Sequence, residues 1–384
     1  MSWGKILGQQ KVIAVLRHAL KSGRVPHAYL FVGPEGVGKD AVALELARTI
    51  HCERGGDEAC DECDSCRRMS ALQHPDVRLV VPLPRGKDET DEDGPLDRLG
   101  NEVATVREQY RLKGTNPYHQ IIIPKALNIK VNSIREIRRE SSLSTSDGKR
   151  KVFVLSGVEN MNEASGNMML KTLEEPTGDT MFILTSSLPE QVLGTIRSRC
   201  QVLRFDPLSE HDIASSLQSW EGIDEPLAAT VARMAAGSYA RARGMLSADV
   251  RQMRLDVVEF VRHTLIPGPS KLVEDAERIA ELKDRDVARN FLLLTLMWFR
   301  DAMALANGGD IVNEDQRADL ARFVKNFPAA DLPRLMNGLE VAIAWLDRNV
   351  QVRLLMINVG LLCKATIQGE SSVGSPGPLY GNRV

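Results

Sequence analysis

The sequence predicts an α/β fold in which a parallel sheet covered by helices is followed by all-helical regions. Short apolar runs typical of buried strands occur up to about residue 207. Segments with helical spacing of apolar residues separate most of these runs, as expected when helices connect parallel strands. Beyond Pro207 the strand-like runs stop, and helical periodicity continues to about residue 366.

Length and composition set the class of protein. A chain of 384 residues is long enough for two or three domains. Its apolar content of 43% supports real cores, and a net charge of −2 creates no overall basic field for nucleic acid or an anionic membrane. The longest apolar runs fall far short of the roughly 20 residues that a membrane span needs. We therefore expect a cytoplasmic protein without membrane contact, whose cysteines are reduced.

Helical and strand-like patterns follow one another through the first 207 residues. Apolar side chains at steps of three and four predict helices over residues 9–22 and 40–51. Apolar runs predict strands at residues 27–33, 77–81, 151–156, 180–186 and 201–205. Together these elements predict one parallel, helix-covered sheet as the first domain, residues 1–207.

An acidic stretch interrupts this first domain. RGKDETDEDGPLDR, residues 85–98, places five acidic side chains within six positions, with Gly and Pro on either side. Dense like charge favours a solvated, mobile segment, and we expect an insertion over about residues 83–127. A metal-binding acidic loop is the alternative, although the carboxylates show no regular ligand spacing.

All-helical regions follow the predicted sheet. Residues 208–247 indicate a small helical domain that ends at GSYARARGML, and residues 248–367 indicate a second helical domain. In the second, apolar residues recur at steps of three or four from Leu332 to Leu361, on one or two long helices. Such a stripe is typical of the core of a helical bundle. The composition of residues 368–384 predicts a disordered tail.

Four of the six cysteines lie close together in the sequence. Cys52, Cys60, Cys63 and Cys66 form a C-x7-C-x2-C-x2-C array. Two residues between thiols let a tight turn direct both sulfurs at one ion, and four thiolates are typical of a closed, structural zinc site. Unrelated free thiols and a redox pair are the alternatives. A redox pair is disfavoured because three overlapping thiols do not define which two would form the disulfide.

A phosphate-binding loop is predicted between the first strand and the helix that follows it. FVGPEGVGKD, residues 31–40, contains the spacing G-x-x-x-x-G-K. In such a loop, backbone N–H groups cradle phosphates at the helix N-terminus, and the lysine reaches the terminal phosphates. The candidate nucleotide-binding residues are therefore Gly33, Gly36, Gly38 and Lys39.

The same loop departs from the pattern at the position that holds magnesium. Asp40 replaces the Ser or Thr, and the strand at residues 151–156 ends in Ser156-Gly157 instead of an acidic pair. A carboxylate ~4 Å from a phosphate charge costs about 4 kcal/mol at an effective dielectric of about 20 unless a metal screens it. We therefore expect weak or no binding of ATP or ADP and no intrinsic hydrolysis. The alternative is that Asp40 itself contacts magnesium.

Several of these segments together resemble a known family. Residues 8–40, the cysteine array, KTLEEP at residues 171–176 and TIRSRC at residues 195–200 are similar to the bacterial clamp-loader branch of the AAA+ ATPases. The resemblance covers about residues 5–250 closely and the helical remainder more loosely. It implies a P-loop AAA+ domain, a helical lid domain and a helical collar domain in the three regions delimited above.

Active motor subunits of that branch carry a magnesium hydroxyl and an acidic strand tip, and this sequence lacks both. The resemblance therefore points to the delta-prime type, the non-hydrolysing stator of the DNA polymerase III clamp loader. A motor subunit similar to gamma or tau is the alternative, with Asp40 and Glu159 substituting for the usual groups. A zinc-containing nucleic-acid-binding protein is a third possibility, which the charge balance and the aromatic content of only 5% argue against.

The resemblance also implies a residue that acts on a neighbouring subunit. In that family the arginine of the S-R-C motif, here Arg199, reaches the ATP of the adjacent subunit, and its planar guanidinium can form paired bonds to a γ-phosphate. The alternative is that Arg199 pairs with a carboxylate such as Asp206. Arg197, on the same face of a strand-like segment, is a second candidate. Arg241 or Arg243 is a candidate nucleotide sensor in the lid.

The partners follow from the same resemblance. It implies a hetero-oligomer of clamp-loader subunits with a pentameric core, which contacts a sliding clamp and primer–template DNA. The complex would load the clamp onto primed DNA at the expense of ATP bound to its other subunits. Zinc is the one cofactor expected in this chain itself, in a structural role.

Overall fold

A computed structural model describes residues 3–90, 92–146, 148–176, 178–246, 250–281, 285–346 and 350–369. The chain divides into two compact units, Met1–Ile213 with Ala236–Arg241, and Ala214–Ala235 with Ala242–Val384. Most of the predicted disordered tail, residues 370–384, lies outside the described residues. The division into three domains stays a prediction.

The first unit is built on a five-stranded parallel sheet. Its strands are β1 (Ala28–Val32), β2 (Val77–Val80), β3 (Lys151–Ser156), β4 (Thr180–Ser186) and β5 (Gln201–Arg204). They lie in the order β2-β3-β4-β1-β5, so β2 and β5 form the two edges. All five strands lie where the apolar runs predicted them, and the predicted fold class is confirmed. A parallel strand buried on both faces reads as a continuous apolar run, which is why the signal is clear.

Helices connect and cover these strands. The first unit contains α1 (Gln10–Lys21), α2 (Lys39–His51), α3 (Asp64–Ser70), α4 (Glu102–Thr115), α5 (Val131–Ser141), α6 (Glu163–Glu174), α7 (Gly194–Arg197) and the start of α8 (Glu210–Glu221). Short 3-10 helices occur at Trp3–Lys5 and Val158–Asn160. The helix α2 packs against β3 and β4, and α5 packs against α6. The predicted helices at residues 9–22 and 40–51 are confirmed as α1 and α2.

One hydrophobic core cluster packs the sheet against the helices on one of its faces. It joins apolar side chains of the sheet to those of α5, α6 and α7, among them Phe153, Phe182, Ile134, Leu173 and Ile196. Because the strands are parallel, their carboxyl ends meet at one edge of the sheet. The residues that follow β1, β3 and β4 therefore lie close together, and they form the site described below.

The acidic insertion is closed by a backbone hydrogen bond at its ends and is held by the side chain of Glu89. The backbone N–H of Leu83 donates to the Asn128 carbonyl at 3.2 Å, so the ends of this segment meet. Glu89, with a side chain only 7% exposed, accepts from Lys130 Nζ at 2.8 Å and from Asn132 Nδ2 at 3.1 Å. The expectation of a wholly solvated acidic stretch is therefore wrong at Glu89. Its partners lie about forty residues away in sequence, beyond the reach of a local charge pattern.

All secondary-structure elements that the structure describes in the second unit are helices, joined by loops. It contains the remainder of α8 and of α10 (Tyr239–Leu246), with α9 (Glu225–Met234), α11 (Val250–Leu265), α12 (Ser270–Glu281), α13 (Arg285–Ala306), α14 (Arg317–Asn326), α15 (Leu332–Leu346) and α16 (Val352–Gln368). A third 3-10 helix spans Glu314–Gln316. No helix of the described residues is both long and apolar enough to cross a membrane.

The predicted apolar stripe follows the core through α15 but not through α16. In α16 the buried face is formed by Leu355, Met356 and Val359 among others, whereas Leu354 is 50% exposed and Leu361 is 46% exposed. The stripe was predicted with one helical phase, but α15 ends at Leu346 and α16 begins at Val352. A break between helices resets the phase, so spacing counted across it does not identify the buried face.

Candidate functional site

The four clustered cysteines are brought together at the end of α2. Their Sγ atoms all lie within 4.8 Å of one another, with Cys52 and Cys66 buried and Cys60 and Cys63 partly exposed. The backbone N–H groups of Cys60, Cys63 and Cys66 each point at a sulfur of the set, at 3.3–3.4 Å. Such donors favour thiolate sulfur, the form that binds metal. The cluster can hold a metal ion, and all four predicted ligands belong to it.

The cysteine loop is tied to the N-terminal part of the chain. Trp3 is buried and donates from Nε1 to the Asp57 carbonyl at 2.8 Å. The Asp57 carboxylate pairs with Arg17 of α1, and with Lys21 at 3.4 Å. The fold of residues 52–66 therefore also determines how the N-terminal segment is held.

The predicted phosphate-binding loop has the expected connection from β1 to α2. Gly36 has φ +75° and Gly38 has φ +100°, a left-handed backbone that favours glycine. A Cβ at Gly36 would lie 2.1 Å from Ser238 Oγ, so only glycine fits that turn. The strand, loop and helix thus reproduce the arrangement predicted from the sequence.

Lys39 is turned inward onto its own loop. Its Nζ donates to the carbonyls of Gly33 and Pro34, both at 2.7 Å, and to Ser187 Oγ at 3.0 Å. Ser187 in turn donates its backbone N–H to Glu159 Oε1 at 2.9 Å. Burial lowers the pKa of Lys39, although neighbouring carboxylates, including Asp40, oppose that shift. Three acceptors of this chain therefore occupy the donors of the ammonium group.

Asp40 lies at the centre of a polar cluster where the strands end. Its Oδ2 accepts from Lys113 Nζ and from Ser156 Oγ, and its Oδ1 accepts from Thr185 Oγ1, all at 2.9 Å. Burial alone would raise the pKa of Asp40, but the charge of Lys113 and the three hydrogen bonds lower it below its usual value. The carboxylate is therefore ionised and paired within the chain.

Lys113 reaches this cluster from the last turn of α4, inside the insertion. Its side chain is 5% exposed, and besides Asp40 it donates to the His119 carbonyl at 2.9 Å. The second bond ties the turn after α4 to the same lysine. The insertion thus supplies the positive charge that balances Asp40.

Tyr118 covers the phosphate-binding loop from the same turn. The side chain is 4% exposed, and a Cβ at Gly38 would lie 3.0 Å from its ring. Its hydroxyl accepts from the backbone N–H of Leu7 at 2.7 Å, and its ring packs edge-on against Tyr239. Gln120 Nε2 donates to Glu35 Oε1 at 3.0 Å, and both residues line the same cavity as Tyr118 and Gly38. This cavity has a volume of about 220 Å³, smaller than the roughly 300–1,000 Å³ of typical ligand pockets.

Arg199 lies between α7 and β5, in the last residues before the edge strand. Its guanidinium pairs with Glu174 at the end of α6, and its NH1 donates to the Thr195 carbonyl at 3.0 Å. The alternative that Arg199 pairs with a carboxylate of its own chain is therefore confirmed, but the partner is Glu174 and not Asp206. About a third of the Arg199 side chain is exposed.

The other predicted arginines do not join Arg199. Arg197 is exposed and is the last residue of α7, so the strand-like segment expected at Arg197 is helical. The expectation that Arg197 shares a strand face with Arg199 is therefore wrong, because Arg199 lies in the turn that follows this helix. Arg243 pairs with Glu221 at 2.7 Å, whereas Arg241 is exposed.

Sequence reasoning missed Lys113, Tyr118 and Glu174. The first two lie in a segment that its acidic neighbours led us to treat as solvated. A usable signal was present: TNPYHQ, residues 115–120, places a tyrosine directly after an Asn-Pro turn at the end of a helix. Glu174 lies within the KTLEEP motif, but no spacing in the sequence links it to Arg199, which follows 25 residues later.

Comparison with known proteins gives consistent similarities. The model of the family described as DNA polymerase III, delta subunit, matches residues 8–209. The DNA polymerase III subunit delta′ of Bacillus subtilis is 32% identical over 209 residues, 54% of this chain and 51% of that protein. The subunit of the same name from Pseudomonas aeruginosa is 32% identical over 245 residues, 62% of this chain and 61% of that protein. The Bacillus subtilis subunit tau is 30% identical over 202 residues, 52% of this chain and 28% of tau. The matched region thus spans about half to three fifths of the two delta′ relatives.

Proposed function

The chain belongs to the DNA polymerase III delta-subunit family, and on this premise we propose that it is a non-hydrolysing clamp-loader subunit of the delta-prime type. It acts in DNA replication, in the cytoplasm, as a stator that supports ATP-dependent loading of a sliding clamp onto primed DNA. Its own nucleotide site is closed, and Arg199 acts in trans on the ATP of a neighbouring subunit.

The observation that carries this proposal is the internal pairing of Asp40. Where a motor subunit presents a hydroxyl to magnesium, this chain has a carboxylate already paired with Lys113, Ser156 and Thr185. Lys39 is held by loop carbonyls, and Tyr118 lies against Gly38. A phosphate and its metal would have to displace all of these groups, so the site as it stands does not fit magnesium–ATP.

Partners of this subunit are the other clamp-loader subunits and, through them, the clamp and primer–template DNA. Leu354 and Leu361 expose apolar surface on α16, in the region that we assign to the collar. Seven residues apart, the two leucines share one face of α16, where a partner subunit would cover them.

A motor ATPase is the competing candidate, because tau is nearly as similar to this chain as delta′. In a motor, Glu159 and Asp40 would have to replace the usual groups. Glu159 lines the cavity, but one of its oxygens is bonded to the Ser187 backbone and Asp40 is paired internally. The stator role therefore agrees better with the geometry.

The isolated chain is expected to bind no ATP and to hydrolyse none, because the groups that would contact phosphate and metal are bonded to one another. Titration with a fluorescent ATP analogue and a phosphate-release assay, with magnesium and primed DNA, measure the two. Asp40→Thr serves as a comparison: it restores the hydroxyl and can improve nucleotide binding, but Ser156 and Gly157 still leave the attacking water unoriented.

The same assays decide between stator and motor. Magnesium-dependent turnover by the unmodified chain would favour the motor role. A clamp loader reconstituted from the other subunits without this chain is expected to load no clamps, whereas adding the chain should restore loading. Loading at the full rate without it would contradict a stator function.

Zinc is the metal that we assign to the cysteine cluster. Four cysteine sulfurs within 4.8 Å of one another suit zinc and leave no position open for a reacting group, so the ion would be structural. In this role it would hold residues 52–66 at the end of α2, and through Asp57 it would secure Trp3 and α1. The ion takes no part in ATP turnover.

Purified protein is expected to contain about one zinc ion per chain, and Cys66→Ser is expected to lower that content strongly. Because Trp3 is bonded to the cysteine loop, loss of the metal should also expose its indole and shift its fluorescence to longer wavelength. Elemental analysis and emission spectra measure both effects. Cys200→Ser, outside the cluster, is the matched control and should change neither. Far less than one equivalent in the unmodified protein would contradict the assignment.

A further inference from the structure

The pair formed by Glu174 and Arg199 joins two separate elements of the first unit. Glu174 is the last residue of α6, and Arg199 follows α7 twenty-five residues later. One terminal nitrogen of the guanidinium donates to Glu174 Oε1, and the other donates to the Thr195 carbonyl at 3.0 Å. Both ends of the fork are therefore directed by this chain.

The packing beneath the pair makes its placement well defined. Leu173, next to Glu174, is 2% exposed, and Ile196, three residues before Arg199, is 1% exposed, in the same core cluster. A Cβ at Gly166 of α6 would lie 2.7 Å from a methyl group of Leu193, so the two elements are in close contact. The carboxylate and the guanidinium are thus carried on two backbone segments that pack closely together.

Helix electrostatics offer no other reason for a carboxylate at this position. The C-terminal end of α6 carries the negative end of the helix dipole, where an acidic side chain is disfavoured. Contact with the Arg199 guanidinium offsets this effect. The contact with Arg199, and not the stability of α6, therefore favours a carboxylate at this position.

We propose that Glu174 is a positioning residue for Arg199, which holds the guanidinium in the orientation needed by the ATP of a neighbouring subunit. This inference rests on the proposed trans action of Arg199. An arginine side chain has many rotamers, and a guanidinium already oriented loses less freedom when it meets the transition state. Since the pair is partly exposed and weak, the approaching phosphate can share the guanidinium without a large penalty.

In the reconstituted complex, Glu174→Ala is expected to lower the maximal ATP turnover about twofold, less than Arg199→Ala does, as fits the modest contribution of one exposed ion pair. The KM for ATP should stay unchanged, because ATP binds in the neighbour's own site. Glu174→Gln, which keeps the shape and an acceptor oxygen but not the charge, should fall between Glu174→Ala and the unmodified protein. Glu175→Gln removes the adjacent exposed carboxylate and is the matched control, with no expected effect.

The double variant Glu174→Ala/Arg199→Ala separates positioning from a merely structural role. If Glu174 acts through Arg199, the double variant turns over ATP as Arg199→Ala alone does. A further loss in the double variant, or faster turnover by Glu174→Ala, would overturn the inference. Unchanged turnover by Glu174→Ala, with Arg199→Ala impaired, would also overturn it but leave the proposed function intact. If Arg199→Ala itself has no effect, the proposed trans action of Arg199 is contradicted, and the positioning role of Glu174 with it.

Discussion

Replacing Arg199 with alanine is expected to lower the clamp- and DNA-stimulated ATPase of the assembled complex at least several-fold. An arginine that reaches a neighbour's γ-phosphate raises phosphoryl transfer by about 10³–10⁵ in well-defined systems, but the other interfaces of the complex would retain their own fingers. The fold and the assembly should be unaffected, because a partly exposed arginine contributes little to stability. Steady-state ATPase, clamp loading and size-exclusion chromatography of the complex measure these outcomes.

Two further variants test how Arg199 acts. Arg199→Lys should be impaired nearly as much as Arg199→Ala, since an ammonium cannot make the paired bonds of a guanidinium. Arg197→Ala, which removes an exposed arginine two positions earlier, should behave as the unmodified chain. If a complex with Arg199→Ala loads clamps at the unmodified rate, the trans action of Arg199 is contradicted and this chain has only a structural role in the complex.

Replacing Lys113 with methionine is expected to destabilise the first unit by roughly 2–3 kcal/mol. This lies at or below the lower end for breaking a fully buried ion pair, because the Asp40 side chain is 21% exposed. Methionine retains most of the apolar stem, so the variant removes the charge and the two hydrogen bonds with little change in packing. Asp40 would keep Ser156 and Thr185 but lose its counter-charge. Urea unfolding followed by circular dichroism measures the loss, and hydrogen exchange over residues 113–121 should report a looser cover on the loop.

A double-mutant cycle provides the control for Lys113. Asp40→Asn together with Lys113→Met removes both charges, and this double variant should be destabilised by less than the sum of the two single changes. Additive losses would show that the pair is not coupled and would contradict its role in closing the loop.

The stability difference between Lys113→Met and the unmodified chain should also depend on pH. The pKa of Asp40 is lowered in the folded chain relative to an ordinary aspartate near 3.9, so its stabilising contribution is complete above that value. As the pH falls through the lowered pKa, the carboxylate is protonated and the contribution is lost. The difference between the two proteins should therefore be largest near neutral pH. It should shrink on acidification, because Asp40 without its counter-charge is protonated at a higher pH in the variant than in the unmodified chain.

Local patterns were sufficient for much of this molecule. The five strands, α1, α2, the glycine loop and the cysteine array could all be predicted, because each is written in consecutive residues or in short fixed spacings. Buried parallel strands are continuous apolar runs, and a phosphate-binding loop is set by glycines that only a left-handed turn requires. The residues that depart from the nucleotide-binding pattern, Asp40 and Ser156, were also identifiable from the sequence.

The partners of these residues were decided only by the tertiary structure. A charge pattern describes its own neighbourhood, so the acidic composition of the insertion gave no indication that Lys113 and Tyr118 within it reach the phosphate-binding loop. Asp40 was expected to repel a phosphate, and the folded chain instead pairs it with a lysine 73 residues away. Arg199 likewise meets Glu174 of α6 rather than Asp206, because two helices packed in the core bring them together. Ion pairs of this kind depend on which strand ends and helix ends meet in space, and no spacing along the chain records that.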